Sequence, residues 1–393
     1  MRQTSLVSVL LLFVVFSSDA QDFLSKSKQV ATKKGELIVC DRSLLKETIT
    51  IPLSELAEEL QIVKLDDADE ALVSDDNEPL ITENFIFVRG GQHMPYKLFD
   101  KKTGKFLTNI GAYGQGPGEY QDMPTCDKQV DEENDRIYLL FWFARQILVY
   151  DLKGKNLPPI PLYYSMPKGN FKVDTKAGTV IVSALPFAGA NPAIVWQQTT
   201  NGELLKSVDA GHLAVPPNNF DNDVNKSGGY RYSFHVYTFV PRIDSVYHYD
   251  VVDNKIIPVF TMNFKSQDLT THNYVESKNY FMGDFVVPVP DTEHSTIAHS
   301  DKCFIIDKNT LKGSFFVLEN DFLGGMKIER PFFSISGEYY SRNADPGNLK
   351  DELDELLKSN KKLSPEMKAK LTKLKDSITD NDNNYILYAK LKR

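Results

Sequence analysis

The sequence predicts an all-β fold: a six-bladed β-propeller with an N-terminal strand closing the last blade and a helical hairpin inserted in blade six. Three observations carry this. A short β-rich run followed by a polar Asp/Asn/Lys/Gly turn recurs six times, and its copies lie about 50 residues apart. The chain stops directly after the sixth copy, where one more strand is due, and a spare strand pattern stands near the N-terminus.

Taken in order, the first twenty residues hold Arg2, an apolar run over residues 6–16, and Ser18-Asp19-Ala20 with small residues before the break. That is the pattern of a secretory signal cleaved after Ala20. The apolar run is about half of the ~20 residues a spanning helix needs, so no transmembrane segment is expected. The mature chain should be exported, periplasmic or secreted. The first cysteine is Cys40, preceded by Leu37-Ile38-Val39 rather than small residues, so a lipoprotein is not expected. Three cysteines, Cys40, Cys126 and Cys303, are too few and uneven in number for a disulfide framework. The net charge of −8 repels phosphate backbones and argues against nucleic acid as a partner.

Residues 21–45 form an extension, and the propeller occupies 46–393. Residues 46–53, KETITIPL, alternate like an edge strand and are expected to supply the missing outer strand of blade six. The repeats read YKLFDKKTGKFL from Tyr96, ILVYDLKGK from Ile147, IVWQQTTNGELL from Ile194, VYHYDVVDNKII from Val246, CFIIDKNTLKGSFF from Cys303 and YILYAKLK from Tyr385. Aligned at Asp100, Asp151, Gln198, Asp250 and Asp307, they are spaced by 51, 47, 52 and 57 residues, each interval long enough for four strands. Residues 347–379 lengthen the last interval with two helical patterns. Leu349, Leu353, Leu356 and Leu357 share one face, and Ser364-Pro365 supplies an N-cap and a first-turn proline before Met367, Leu371, Leu374 and Ile378.

Residues 109–120, NIGAYGQGPGEY, sit where the outer strand of blade one crosses to the inner strand of blade two. Gly111, Gly114, Gly116 and Gly118 offer backbone freedom for that crossing. A phosphate cradle would need a helix after the glycines, or Gly-Lys-Ser/Thr; Glu-Tyr and more strand follow instead. The unit IGAYGQGPGEYQDMP…DRIYLLFWFARQILVYDLKGK, residues 110–155, resembles an NHL-type propeller repeat. With IPLSEL at Ile51, NDFLGG at Asn320 and the ending NYILYAKLK, the chain resembles the exported six-bladed propeller proteins of unknown function of Bacteroides-type bacteria. That resemblance implies the fold and export, and no agreed activity. The chain departs from it in lacking the lipobox common in such proteins.

Candidate ligand-binding residues lie on the face of these crossings: Glu119 and Tyr120, Trp142 and Arg145, Arg242 and Asp244, Asn320 and Asp321. Aromatic and bidentate polar groups converging on a channel mouth suit a glycan or peptide. Arg145 and Asp244 serve equally well as locks between blades, and Trp142 as packing between them. The acidic runs at 66–69 and 131–135 read as turns capped by their own side chains. No catalytic or metal-binding residue is assigned and no cofactor is expected, calcium being the one ion such a channel could take. The expected function is non-catalytic binding of a glycan, peptide or envelope protein by a monomer. The alternatives are a metal-dependent hydrolase or lyase of the lactonase-like propeller type, and a scaffold in an envelope complex.

Overall fold

The structure, a computed structural model, describes residues 23–392 apart from 75–77, 122–123, 190, 218, 228–230, 293–294, 330, 332–334, 337 and 360–361. The segment expected to be a cleaved leader, residues 1–20, lies outside the described residues. Six antiparallel blades form a propeller. From axis to rim, blade one is Leu80–Ile81, Phe85–Arg89, Tyr96–Asp100 and Phe106–Ile110. Blade two is Thr125–Asp131, Arg136–Phe141, Gln146–Tyr150 and Asn156–Pro161. Blade three is Gly169–Asp174, Thr179–Ala184, Ala193–Thr199 and Leu204–Asp209. Blade four is Asp223–Ser227, Ser233–Tyr237, Ser245–Asp250 and Lys255–Asn263. Blade five is Thr271–Glu276, Tyr280–Thr292, Ser295–Asp307 and Gly313–Asn320. Ile335–Ser336, Tyr339–Ala344, Tyr385–Lys390 and Gln61–Lys64 make blade six.

Each copy of the repeated run is the third strand of its blade. Burial explains its composition. The middle strands are covered on both faces by neighbouring blades, so Tyr96–Asp100 is buried at four consecutive positions, whereas the rim strand Asn156–Pro161 buries Ile160 alone. The core is therefore a series of wedges between blades. Phe87, Tyr96 and Leu98 of blade one meet Ile137, Leu139 and Tyr150 of blade two in one such wedge.

At the axis, polar side chains join the inner strands. Gln129 donates to the Val173 carbonyl (3.0 Å) and accepts from the Val173 N–H (2.9 Å). Asp127 accepts from the Phe171 N–H (2.9 Å), and Asn170 donates to the Val224 carbonyl (2.6 Å). Backbone groups that face across the gap between blades are satisfied in this way.

Closure differs from expectation. Thr48–Pro52, within the segment expected to complete blade six, instead runs parallel to Gly313–Asn320 on the rim of blade five, with Thr48 opposite Phe315 and Pro52 opposite Glu319. Gln61–Lys64 closes blade six, antiparallel to Tyr385–Lys390, with Val63 opposite Ile386. Alternation in KETITIPL reports one buried face, which any rim position provides, so it could not say which blade would receive it. Upstream, the hairpin Ala31–Lys34 with Leu37–Asp41 adds two strands to blade four, Leu37–Asp41 lying parallel to Lys255–Asn263. One N-terminal ribbon thus lines the rims of blades four, five and six and covers edges that would otherwise invite pairing.

The insert follows the second strand of blade six as helices Pro346–Ser359 and Pro365–Ser377. Ser364 Oγ accepts from the Met367 N–H (3.1 Å), with Pro365 in the first turn. Leu349, Leu353, Leu371 and Ile378 are buried against Leu323, Met326, Tyr385 and Leu387, which seats the hairpin on the disc. Arg342 grips Glu352 with two hydrogen bonds of 2.8 and 2.6 Å. NDFLGG marks the junction beneath it. Gly324 has φ 73°, and a Cβ there would lie 2.8 Å from the Leu363 side chain.

Candidate functional site

Of the four glycines in the crossing, Gly111 and Gly118 take positive φ, 71° and 75°. A Cβ on Gly111 would stand 2.5 Å from the Tyr120 ring, so the crossing is tight as well as left-handed. Ala112–Tyr113 then pairs in parallel with Glu119–Tyr120. The Glu119 carboxylate turns back to accept from the Gly116 N–H (2.8 Å). Tyr120 is buried and stacked on Phe141 at 4.7 Å; its hydroxyl accepts from the Tyr96 N–H (2.7 Å) and donates to the Ile110 carbonyl (2.9 Å). Both side chains build the crossing.

The other candidates are similarly engaged. Lys168 Nζ sits 4.0 Å over the half-buried Trp142 ring and donates to the carbonyls of Phe220 (2.7 Å) and Asn222 (3.1 Å). Arg242 forks onto Asp244 at 3.0 and 2.7 Å, and Asp244 also accepts from the Ser245 N–H and the Tyr247 hydroxyl. Asp321 accepts from the Ser54 N–H (2.9 Å), fastening the ribbon to blade five. Asn320 is buried, its Oδ1 without a partner among the described residues. Only Arg145 stands exposed with no side-chain bond among the described residues. All eight occupy second-to-third-strand loops or crossings, hence one face, yet no hydrogen bond among the described residues links one pair to another.

The cavity lies at the opposite end of the channel, where first strands turn into second strands. It has a volume of about 470 Å³ and receives residues from all six blades. Its wall carries three lysines at one level. Spacings of 44 residues between the inner strands of blades two and three, and 54 between those of three and four, place Lys128, Lys172 and Lys226 side by side. Lys226 is bonded to Asp127 (2.5 Å) and to the Phe171 carbonyl (2.9 Å). Lys128 donates to the Glu78 carbonyl (2.8 Å), and desolvation pushes its ammonium down to about 8. Lys172 is exposed. Arg231, Lys278, Lys390 and Lys392 add positive charge around the same space, with Glu338 as the one acidic lining residue among the described residues.

A neighbouring notch at the turns of blades one and two is acidic; among the described residues Glu83 makes no side-chain bond, while its other three carboxylates are occupied. Glu132 accepts from the Asn84 N–H (2.9 Å) and Nδ2 (2.6 Å), Asp131 from Asn134 and Thr175, and Glu133 pairs with Lys176. Turn chemistry therefore accounts for the acidic run at 131–135. Among the described residues no three His, Cys, Asp or Glu side chains gather as a metal site.

Sequence reasoning missed the lysines because it aligned the hairpins. Aligning the inner strands instead, CDKQ, NFKV and VNKS, would have set Lys128, Lys172 and Lys226 in register.

Residues 37–390 match the model of a domain of unknown function, DUF4934. No curated protein sequence matches the chain. Among solved structures, a protein from Bacteroides fragilis described as exported aligns over 90% of this chain and 100% of its own, at 15% identity and a TM-score of 0.57. A DUF4221 family member from Bacteroides vulgatus aligns over 86% of this chain and 97% of its own, at 12% identity and a TM-score of 0.44. The first likeness supports the fold alone. No described helix is long and apolar enough to cross a membrane.

Proposed function

The chain belongs to the DUF4934 family, which carries no assigned activity, and we propose that it is an exported, non-catalytic binding protein holding a glycan, a peptide or a segment of a protein in its channel. One observation carries the reading: residues from all six blades line a cavity of about 470 Å³, within the size range of ligand sites. The leader pattern supports export. The site is the end with first-to-second-strand turns. At the opposite mouth most of the candidate side chains are already bonded within the fold.

Asn279 lies in a turn on the cavity wall, half-buried, and Arg145 stands exposed at the far mouth. A glycan and peptide array probed with the wild-type protein, Asn279→Trp and Arg145→Ala should lose its signal with the first variant and keep it with the second. Loss with Arg145→Ala and retention with Asn279→Trp would move the site to the other face.

A further inference from the structure

We propose that the cavity takes a small ligand bearing two or more anionic groups. This rests on the channel reading above and adds the ligand's charge. The chain carries a net charge of −8, yet among the described residues seven lysines or arginines and a single acidic residue line this space. Surface chance would favour the opposite balance.

The partners of these charges sharpen the point. Lys128 and Lys226 are held by the fold, but Lys172, Arg231, Lys278, Lys390 and Lys392 make no ion pair or side-chain hydrogen bond among the described residues. Of the four carboxylates in the adjacent notch, Asp131, Glu132 and Glu133 are bonded and, among the described residues, Glu83 alone makes no side-chain bond. Like charges gathered in a concave, partly desolvated site repel one another, and the field they focus is relieved by a counter-charge.

Geometry sets the number of charges on the ligand. Lys172 comes from blade three, Arg231 from blade four, Lys278 from blade five, and Lys390 and Lys392 from the end of blade six. A single carboxylate could not meet cations spread around the ring, whereas two or three anionic groups on one skeleton could. Between the cations lie Leu56, Met282 and Leu391, which suit carbon more than a bare inorganic ion. The volume admits a molecule the size of a sugar or tricarboxylate.

Calorimetric titration of the purified protein with citrate, a sugar bisphosphate, a disulfated disaccharide and neutral sucrose tests this and separates carboxylate, phosphate and sulfate. At least one of the three anions should bind, sucrose should not, and added salt should weaken the binding. Lys172→Ala and Lys278→Ala, which break no bond within the described residues, should each weaken it about tenfold, and Arg145→Ala should leave it unchanged. Three anions that bind no better than sucrose, or affinities indifferent to both lysine changes, would overturn the proposal. A neutral glycan captured on the array and lost with Asn279→Trp would overturn the charge inference while the channel reading stood. Capture unaffected by Asn279→Trp would remove both.

Discussion

At the scale of single residues, buried histidines make stability depend on pH. His235 and His272 are buried with ring centroids 6.2 Å apart, and both pack against the Tyr274 ring. His272 Nδ1 donates to the Thr270 carbonyl (2.7 Å), while His235 Nδ1 has no partner among the described residues. Desolvation holds both rings below the ordinary 6.5, His235 well below it, with His272 and Arg242 adding repulsion at His235. The unfolded chain protonates near 6.5 and the folded one only at lower pH. Stability is therefore full above about 6.5 and falls as pH drops beneath it, by up to about 1.4 kcal/mol per pH unit for each ring. Urea midpoints between pH 7.5 and 5.5 should show this decline, and His235→Gln should flatten it by about half. An equal slope in the variant would assign the decline to other groups.

At the scale of elements, the helical insert is held by a few buried leucines on the rim. Leu371 is fully buried among Leu323, Met326, Leu349 and Leu353. Leu371→Ala should cost about 2–5 kcal/mol of that docking. Because Tyr339–Ala344 and Tyr385–Lys390 pair along their whole length without the helices, the loss should stay local. Hydrogen exchange should quicken over residues 346–377 and hold elsewhere; an equal rise in all blades would make the insert part of the central core. This element was legible in the sequence because Leu349, Leu353, Leu371 and Ile378 recur at helical spacing and Ser364-Pro365 marks a start. The third strands were legible for the matching reason, apolar runs ended by polar turns. The cavity was not. Glu119, Arg242 and Asp321 carry the chemistry of ligand contacts, and on a folded surface that same chemistry is satisfied by Gly116, Asp244 and Ser54. Lys172 and Lys278 carry no local motif, and only the arrangement of the blades sets them around one space.

At the scale of the whole molecule, one short strand joins the two ends of the chain. Gln61–Lys64 is four residues long, yet it completes blade six, whose third strand leads directly into Lys390 and Lys392 at the cavity. The Leu65 N–H donates to the Asn384 carbonyl (3.0 Å), so by antiparallel alternation the Val63 N–H points at Ile386 rather than outward. Val63→Pro removes that donor, at a cost of about 1–3 kcal/mol. Lys33 offers a control. The Asp41 N–H donates to the Val30 carbonyl, which by the same alternation turns the Lys33 N–H away from its partner strand, on a hairpin added outside blade four. Each blade is wedged between two others, so weakening the seam should lower the stability of all six together. Urea unfolding of Val63→Pro should remain a single transition at a lower midpoint, with anion binding at the cavity weakened alongside, while Lys33→Pro changes neither. Two transitions, with blade six unfolding ahead of the rest, would show that the seam supports its own blade and that the remaining five hold without a closed ring.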